Sequence, residues 1–187
     1  MKRNFYFFRH GQTDENERGM REGRSQNAAL TELGRAQTRA LAGFLADKKL
    51  DIIYSSPYPR AMDTAAAVAE KYSDLKIVPT DALVEGAFYF WGLDNPETKA
   101  RVDAVFARVK DFLDGVIANT AHQNIAISSH GGITRALCWC AGKEFGLIKN
   151  CNCYHFTYED GRWEFVGEFD TGIEVKNYSD RHYDKKD

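Results

Sequence analysis

Four cysteines are all the chain has: Cys138, Cys140, Cys151 and Cys153, in two Cys-x-Cys pairs. Neither pair has the Cys-x-x-Cys spacing of a zinc knuckle. Cys138 and Cys140 fall in an apolar helical run with Leu137 and Trp139, so free buried thiols suit them better than a metal site. No dense cluster of Asp, Glu and His suggests a magnesium or zinc centre, and neither metal nor cofactor is expected. Neither sign of charge is in excess: 25 Lys and Arg stand against 27 Asp and Glu. That balance gives no reason to expect nucleic acid or an acidic membrane as a partner. No apolar run is long enough to span a bilayer. Met1-Lys2-Arg3-Asn4 leads into the first strand without the apolar region and cleavage site of a signal peptide, so a cytoplasmic protein is expected. Internal repeats and interdomain linkers are also missing, and 187 residues suit one medium domain with a real core.

What is present begins at Phe5-Tyr6-Phe7-Phe8-Arg9-His10-Gly11-Gln12-Thr13. Four consecutive aromatics read as a strand buried on both faces. Arg9 and His10 follow where that strand would end, and Gly11 allows a sharp turn or a close approach to a ligand. A cation and an imidazole there are costly unless something anionic meets them. A surface Arg and a turn-capping His would suit the stretch equally well when it is taken alone.

Strands and helices then alternate. Asp14–Ala29 reads as a long loop, of the kind that is usually functional in a compact domain. Thr31 reads as the N-cap of a helix carrying Leu33, Ala36, Ala40, Leu41, Phe44 and Leu45 and ending near Lys48-Lys49. Ile52-Ile53-Tyr54 is a short buried strand that breaks at Ser55-Ser56-Pro57 before a helix from Arg60 to Ala69. Leu75–Val78 is a third strand, stopped by Pro79, and Asp81–Asn95 is irregular. Pro96 opens a helix with Val102, Val105, Phe106, Val109, Phe112, Leu113 and Val116 on one side. Ile125–Ser128 is a fourth strand, and a helix runs from Ile133 to Ala141. Tyr154–Tyr158 and Trp163–Phe169 alternate apolar and polar residues around Glu159-Asp160-Gly161, a hairpin pattern. Residues 1–176 are expected to form one domain, and 177–187 a polar tail.

This alternation implies an α/β layered domain with a largely parallel sheet, whose ligands sit beyond the carboxyl ends of the strands. Three strands end in chemically capable residues: Arg9-His10-Gly11, Ser55-Ser56-Pro57 leading to Arg60, and Ser129-His130-Gly131-Gly132. If the strands are neighbours, two imidazoles and two guanidiniums converge on one crevice. A phosphoryl group suits such a pocket, since Arg matches its oxygens bidentately. Gly11 and Gly131 could bring backbone N–H groups close to the same anion. A neutral imidazole is nucleophilic and can carry a covalent intermediate, and fixed cations would stabilise the transferring group. Departure of an alcohol needs a proton donor. Glu85 is the candidate, in an aromatic stretch where desolvation would raise its pKa; a solvent-exposed loop carboxylate is the alternative.

Phe8-Arg9-His10-Gly11-Gln12-Thr13 resembles the Arg-His-Gly-x-Thr signature of the histidine phosphatase superfamily, the phosphoglycerate mutase-like proteins. Leu30-Thr31-Glu32-Leu33-Gly34-Arg35-Ala36-Gln37 resembles the Leu-Thr-x-x-Gly-x-x-Gln helix start of that family. The stretch from Ser55 to Ala65 resembles its second arginine motif, and Ser129-His130-Gly131-Gly132 its second histidine motif. The motifs occur in the family's order and span roughly residues 4 to 170. The resemblance implies a three-layer α/β/α sandwich, phosphoglycerate mutase-like. It also implies a metal-free, two-step phosphatase with His10 as the nucleophile. Arg9, Arg60 and His130 would hold the phosphoryl oxygens, Asn16 would lie near the phosphate, and Glu85 would serve as general acid and base.

The chain departs from the family at Glu22-Gly23, where Gln-Gly is common, at Tyr89, where Gly is usual, and at Trp91-Gly92, which lacks the Glu of the family's Trp-Glu-Gly. A carboxylate at Glu22 would repel phosphate, so that loop is expected to contact something else or swing away. The run Phe88-Tyr89-Phe90-Trp91 suits either core packing or a pocket wall. The segment between Glu85 and His130 is short for the mutases, which favours a compact phosphatase. A small phosphorylated metabolite is the first expectation for the substrate. The alternatives are a phosphohistidine or other phosphoprotein, a mutase-type transfer, and a non-enzymatic phospho-ligand-binding regulator. The chain would act as a monomer or homodimer.

Overall fold

Phe5, Tyr6, Phe7 and Phe8 are all buried because β1 (Arg3–Arg9) runs through the interior of a six-stranded sheet. The computed structural model describes residues 1–18, 27–86 and 95–173. The other strands are β2 (Ile52–Ser55), β3 (Ile77–Pro79), β4 (Asn124–Ser129), β5 (Cys153–Glu159) and β6 (Arg162–Phe169), in the order β3-β2-β4-β1-β5-β6. The β1–β4, β4–β2 and β2–β3 pairs are parallel, whereas β1–β5 and β5–β6 are antiparallel. The helices are α1 (Asp14–Glu17), α2 (Glu32–Leu45), α3 (Pro59–Ala69), α4 (Pro96–Asn119) and α5 (Gly131–Cys140).

Successive side chains of a strand point to opposite faces. Phe5 and Phe7 therefore enter one core with Ile125, Ile127, Val109, Leu113 and Leu137, from β4, α4 and α5. Tyr6 and Phe8 enter a second core with Leu41, Leu45, Ala65 and Val68, from α2 and α3. One unbroken aromatic run thus serves two helical layers, the expected α/β/α sandwich on a mostly parallel sheet. Among the described residues no helix is long and apolar enough to cross a membrane.

Several local expectations change. The segment after Thr13 is not all loop. Thr13 and Asn16 exchange side-chain-to-backbone bonds that nucleate α1, a turn too short to show apolar periodicity. Helix α2 ends at Leu45, before Lys48 and Lys49, and Lys49 has a positive φ of 51° where the chain turns away. Pro79 lies within β3 because β3 is an edge strand that pairs only with β2. A single 3₁₀ turn, Asp81–Leu83, interrupts the segment read as irregular. Helix α5 starts at Gly131, two residues before its first apolar contact at Ile133. All four cysteines are free, as expected, but Cys140 is only half-buried. Burial pushes the Cys151 thiol up to about 12 and the Cys140 thiol up to about 11. The Glu22, Tyr89 and Trp91 departures and the tail lie outside the described residues.

Candidate active site

Register places the three motif-bearing strand ends side by side. Arg9 of β1 faces Ser129 of β4, and Ser55 of β2 faces Ser128 of β4. The chain then leaves each strand into a functional residue. The His10 N–H donates to Ser129 O (3.0 Å) and the Ser56 N–H to Ser128 O (3.0 Å), so the ladder continues one step past each strand. The rings of His10 and His130 meet edge to face, with centroids 5.3 Å apart. Arg9, His10, Arg60 and His130 are all buried.

The geometry settles the protonation of His10. Its Nδ1 lies 2.7 Å from Gly11 O, which can only accept, so Nδ1 carries the proton. Nε2 is then the lone-pair nitrogen, and Arg60 Nε donates to it at 3.2 Å. Burial, with Arg9 and Arg60 nearby, holds the His10 pKa well below the ordinary imidazole value; the bond to Gly11 O opposes this only in part. His10 is therefore neutral at physiological pH, with Nε2 facing Arg60.

Backbone packing makes this turn possible. A Cβ on Gly11 would lie 2.6 Å from Gly34 O and 2.7 Å from Thr38 Oγ1. One on Gly34 would lie 2.0 Å from Gln12 O. The two glycines let the turn after His10 press against the start of α2, where the Thr31 side chain accepts from Gly34 N–H and donates to Gln12 Oε1. One expectation is corrected here. The Gly11 N–H is not offered to an anion, because it donates to Thr64 Oγ1 at 3.1 Å, and Thr64 in turn donates to Arg60 O. Gly131 opens α5 beside the Arg9 guanidinium, where the N-terminal turn of a helix favours negative charge.

The remaining residues form a surrounding shell. His130 Nε2 shares a hydrogen bond with Ser56 Oγ (2.8 Å), and its ring meets that of Tyr58, which also lies under the Arg60 guanidinium. Arg9 Nη1 donates to Ile148 O (2.8 Å). Asn16 is joined to the His10 backbone through Asn150. Glu85 is half-buried just after the 3₁₀ turn. Its charge neighbour is Arg108 of α4, which donates to Val84 O. Burial lowers the Arg108 pKa, and the nearby Glu85, Tyr58 and Asp81 counter that in part; the Tyr58 ring also faces His130. Among the described residues no group of three or more His, Cys, Asp and Glu could hold a metal ion.

Ser56 belongs to a strand end singled out from the sequence, whereas Tyr58, Thr64, Arg108 and Asn150 were given no role there. Thr64 could have been found, since it lies one helical turn from Arg60 on the same face. Arg108 and Asn150 carry no motif, and only packing brings them in.

A sequence model of the histidine phosphatase superfamily (branch 1) matches residues 5–93 and 87–171. The provisionally named phosphoserine phosphatase 2 of Hydrogenobacter thermophilus is 34% identical over 160 residues, covering 73% of this chain and 77% of its own. Phosphoserine phosphatase 1 of the same organism is 28% identical over 174 residues, covering 80% of this chain and 82% of its own. Among solved structures, phosphoglycerate mutase from Bacillus anthracis superposes with a TM-score of 0.75 at 22% identity, over 89% of this chain and 92% of its own. At that identity the likeness carries the fold.

Proposed function

Because the chain belongs to the histidine phosphatase superfamily, we propose that it hydrolyses phosphomonoesters without a metal, through a phosphohistidine on His10. The observation that carries this reading is the state of His10: buried, neutral, protonated on Nδ1, with its Nε2 lone pair beside Arg60. A nucleophilic imidazole needs that tautomer, and an anionic ester needs the cations around it.

In the free protein the Arg60 Nε–H occupies the Nε2 lone pair. A phosphoryl group entering between them takes over that N–H and exposes the nitrogen. Nε2 attacks phosphorus, the P–O bond to the alcohol breaks, and Glu85 supplies the proton the alkoxide needs. Arg9, Arg60, His130 and the first turn of α5 at Gly131 carry the charge spread over the phosphoryl oxygens. Asn16 completes the oxyanion's surroundings. Glu85, now a carboxylate, takes a proton from water as the oxygen attacks phosphorus, and the P–Nε2 bond breaks with its electron pair returning to the imidazole. Inorganic phosphate leaves and His10 is restored.

A small phosphorylated metabolite is the substrate class, and the phosphoserine phosphatase names of two relatives make phosphoserine the first compound to try. Residues 1–176 act as one domain in this reading, with 177–187 as a tail. The test is turnover of an aryl phosphate at mildly acidic pH, with and without chelator, beside His10→Ala. Wild-type turnover should survive chelator and vanish in the variant. Equal rates in the two proteins would end the proposal.

A further inference from the structure

We infer that Asn150 is a positioning residue, which sets the end of the Asn16 side chain that faces the phosphoryl site. The inference rests on the proposed reading of that site. Asn150 lies in the connection between α5 and β5 and is 2% exposed. Its side-chain nitrogen lies 3.0 Å from His10 O and 3.1 Å from Asn16 Oδ1.

Which end of each amide is which follows from fixed neighbours. A backbone carbonyl only accepts, so the Asn150 atom beside His10 O must be the nitrogen. That nitrogen only donates, so the Asn16 atom beside it must be the oxygen. The Thr13 N–H, also only a donor, meets the same Asn16 atom at 3.1 Å and requires the same orientation. Two donors therefore fill the lone pairs of Asn16 Oδ1 and turn its NH₂ the other way, as an electropositive group. A flipped Asn16 would present an oxygen there and repel an oxyanion.

The loop is held to Arg9 of β1 by residues on either side of Asn150. Arg9 Nη1 donates to Ile148 O (2.8 Å), and the Cys151 N–H donates to Arg9 O (3.1 Å). The arrangement carries a cost: Asn150 Oδ1 is buried with no hydrogen-bond partner among the described residues. A residue kept only to fill space would not need an amide there.

The experiment measures binding of inorganic phosphate to the wild type, Asn150→Ala, Asn150→Asp, Asn16→Ala and the Asn16→Ala/Asn150→Ala pair, alongside melting temperature. Each single alanine change should weaken binding about tenfold, as loss of a hydrogen bond to a charged group does. The double variant should bind no worse than Asn16→Ala, since Asn150 acts through Asn16. Asn150→Asp keeps the shape and replaces the donor by an acceptor. It should weaken binding at least as much as alanine, and it supplies the answer if the alanine variant does not fold. Losses that multiply in the double variant would overturn the inference, as would Asn150 variants that lose melting temperature but bind phosphate normally. A wild-type chain that binds no phosphate, or binds it no better than an Arg60→Ala variant measured beside it, overturns the site reading and this inference with it. Normal wild-type binding with unaffected Asn150 variants overturns the inference alone.

Discussion

The two ends of the sheet treat charge in opposite ways. At the carboxyl ends of β1, β2 and β4, the groups Arg9, His10, Arg60 and His130 are all buried. At the other end, beside the β5–β6 turn, Lys2, Glu159, Asp160, Arg162 and Glu164 line an open groove. There the N-terminal amine lies 4.0 Å from Glu159 and 3.8 Å from Asp160, with both carboxylates largely in solvent. Water solvates the groove, so its ion pairs contribute little and attract nothing in particular. At the buried end the same chemistry works in a medium of low dielectric, where each cation acts strongly on its neighbours. Burial first, and then Arg9 and Arg60, hold the His10 pKa down there. Desolvation, more than the number of charges, distinguishes a candidate site from a surface.

The comparison can be broken most directly at Arg60. Arg60→Ala should lower kcat for an aryl phosphate by about 10²–10³-fold, as removal of a preorganised donor does. A loss below tenfold in a folded variant would mean that burial at this end does not serve the reaction. Glu85→Gln comes next. It should lower kcat by about 10²-fold or more for an alkyl phosphate, and less for an aryl phosphate whose leaving group needs no proton. Equal losses on both esters would remove Glu85 as the acid.

Packing at the buried end sharpens the contrast in stability. Gly34→Ala drives a Cβ into Gln12 O, and should cost about 1–3 kcal/mol in chemical denaturation. Arg162→Ala in the solvated groove should stay within about 0.5 kcal/mol of wild type.

The smallest effect is a slope. His10 has a folded pKa well below the ordinary 6.5, so below that pH the unfolded chain binds a proton that the folded chain refuses. The contribution to stability is full above pH 6.5 and is lost as the pH falls toward the folded value. The wild type should therefore lose melting temperature from pH 6.5 downward more steeply than His10→Gln. Identical slopes would mean that His10 is not held neutral by the fold.

Much of this was legible in the residues. The aromatic run Phe5–Phe8 required burial on both faces, and β1 has it. Residues that punctuate strand ends, such as Arg9-His10-Gly11 and Ser129-His130-Gly131-Gly132, pointed to one crevice, and the fold brings these strand ends side by side. The reading erred where local chemistry gave no period. Helix α1 rests on one reciprocal pair, Thr13 with Asn16, and α5 begins with two glycines that carry no apolar signal. Gly11 was rightly marked as special, but for close packing on Gly34 rather than for its N–H.

Alternation of apolar and polar residues is a property of neighbours in the chain, so the sequence by itself determined the layered fold, its strand ends and the residues gathered there. Hydrogen-bond direction is a property of neighbours in space. Only the tertiary structure decided that His10 keeps its proton on Nδ1, that Arg108 of α4 bonds Val84 O beside Glu85, and that Asn150, 140 residues from His10, donates to its carbonyl. Each depends on an atom supplied by a distant segment, and no local pattern encodes which segment that will be.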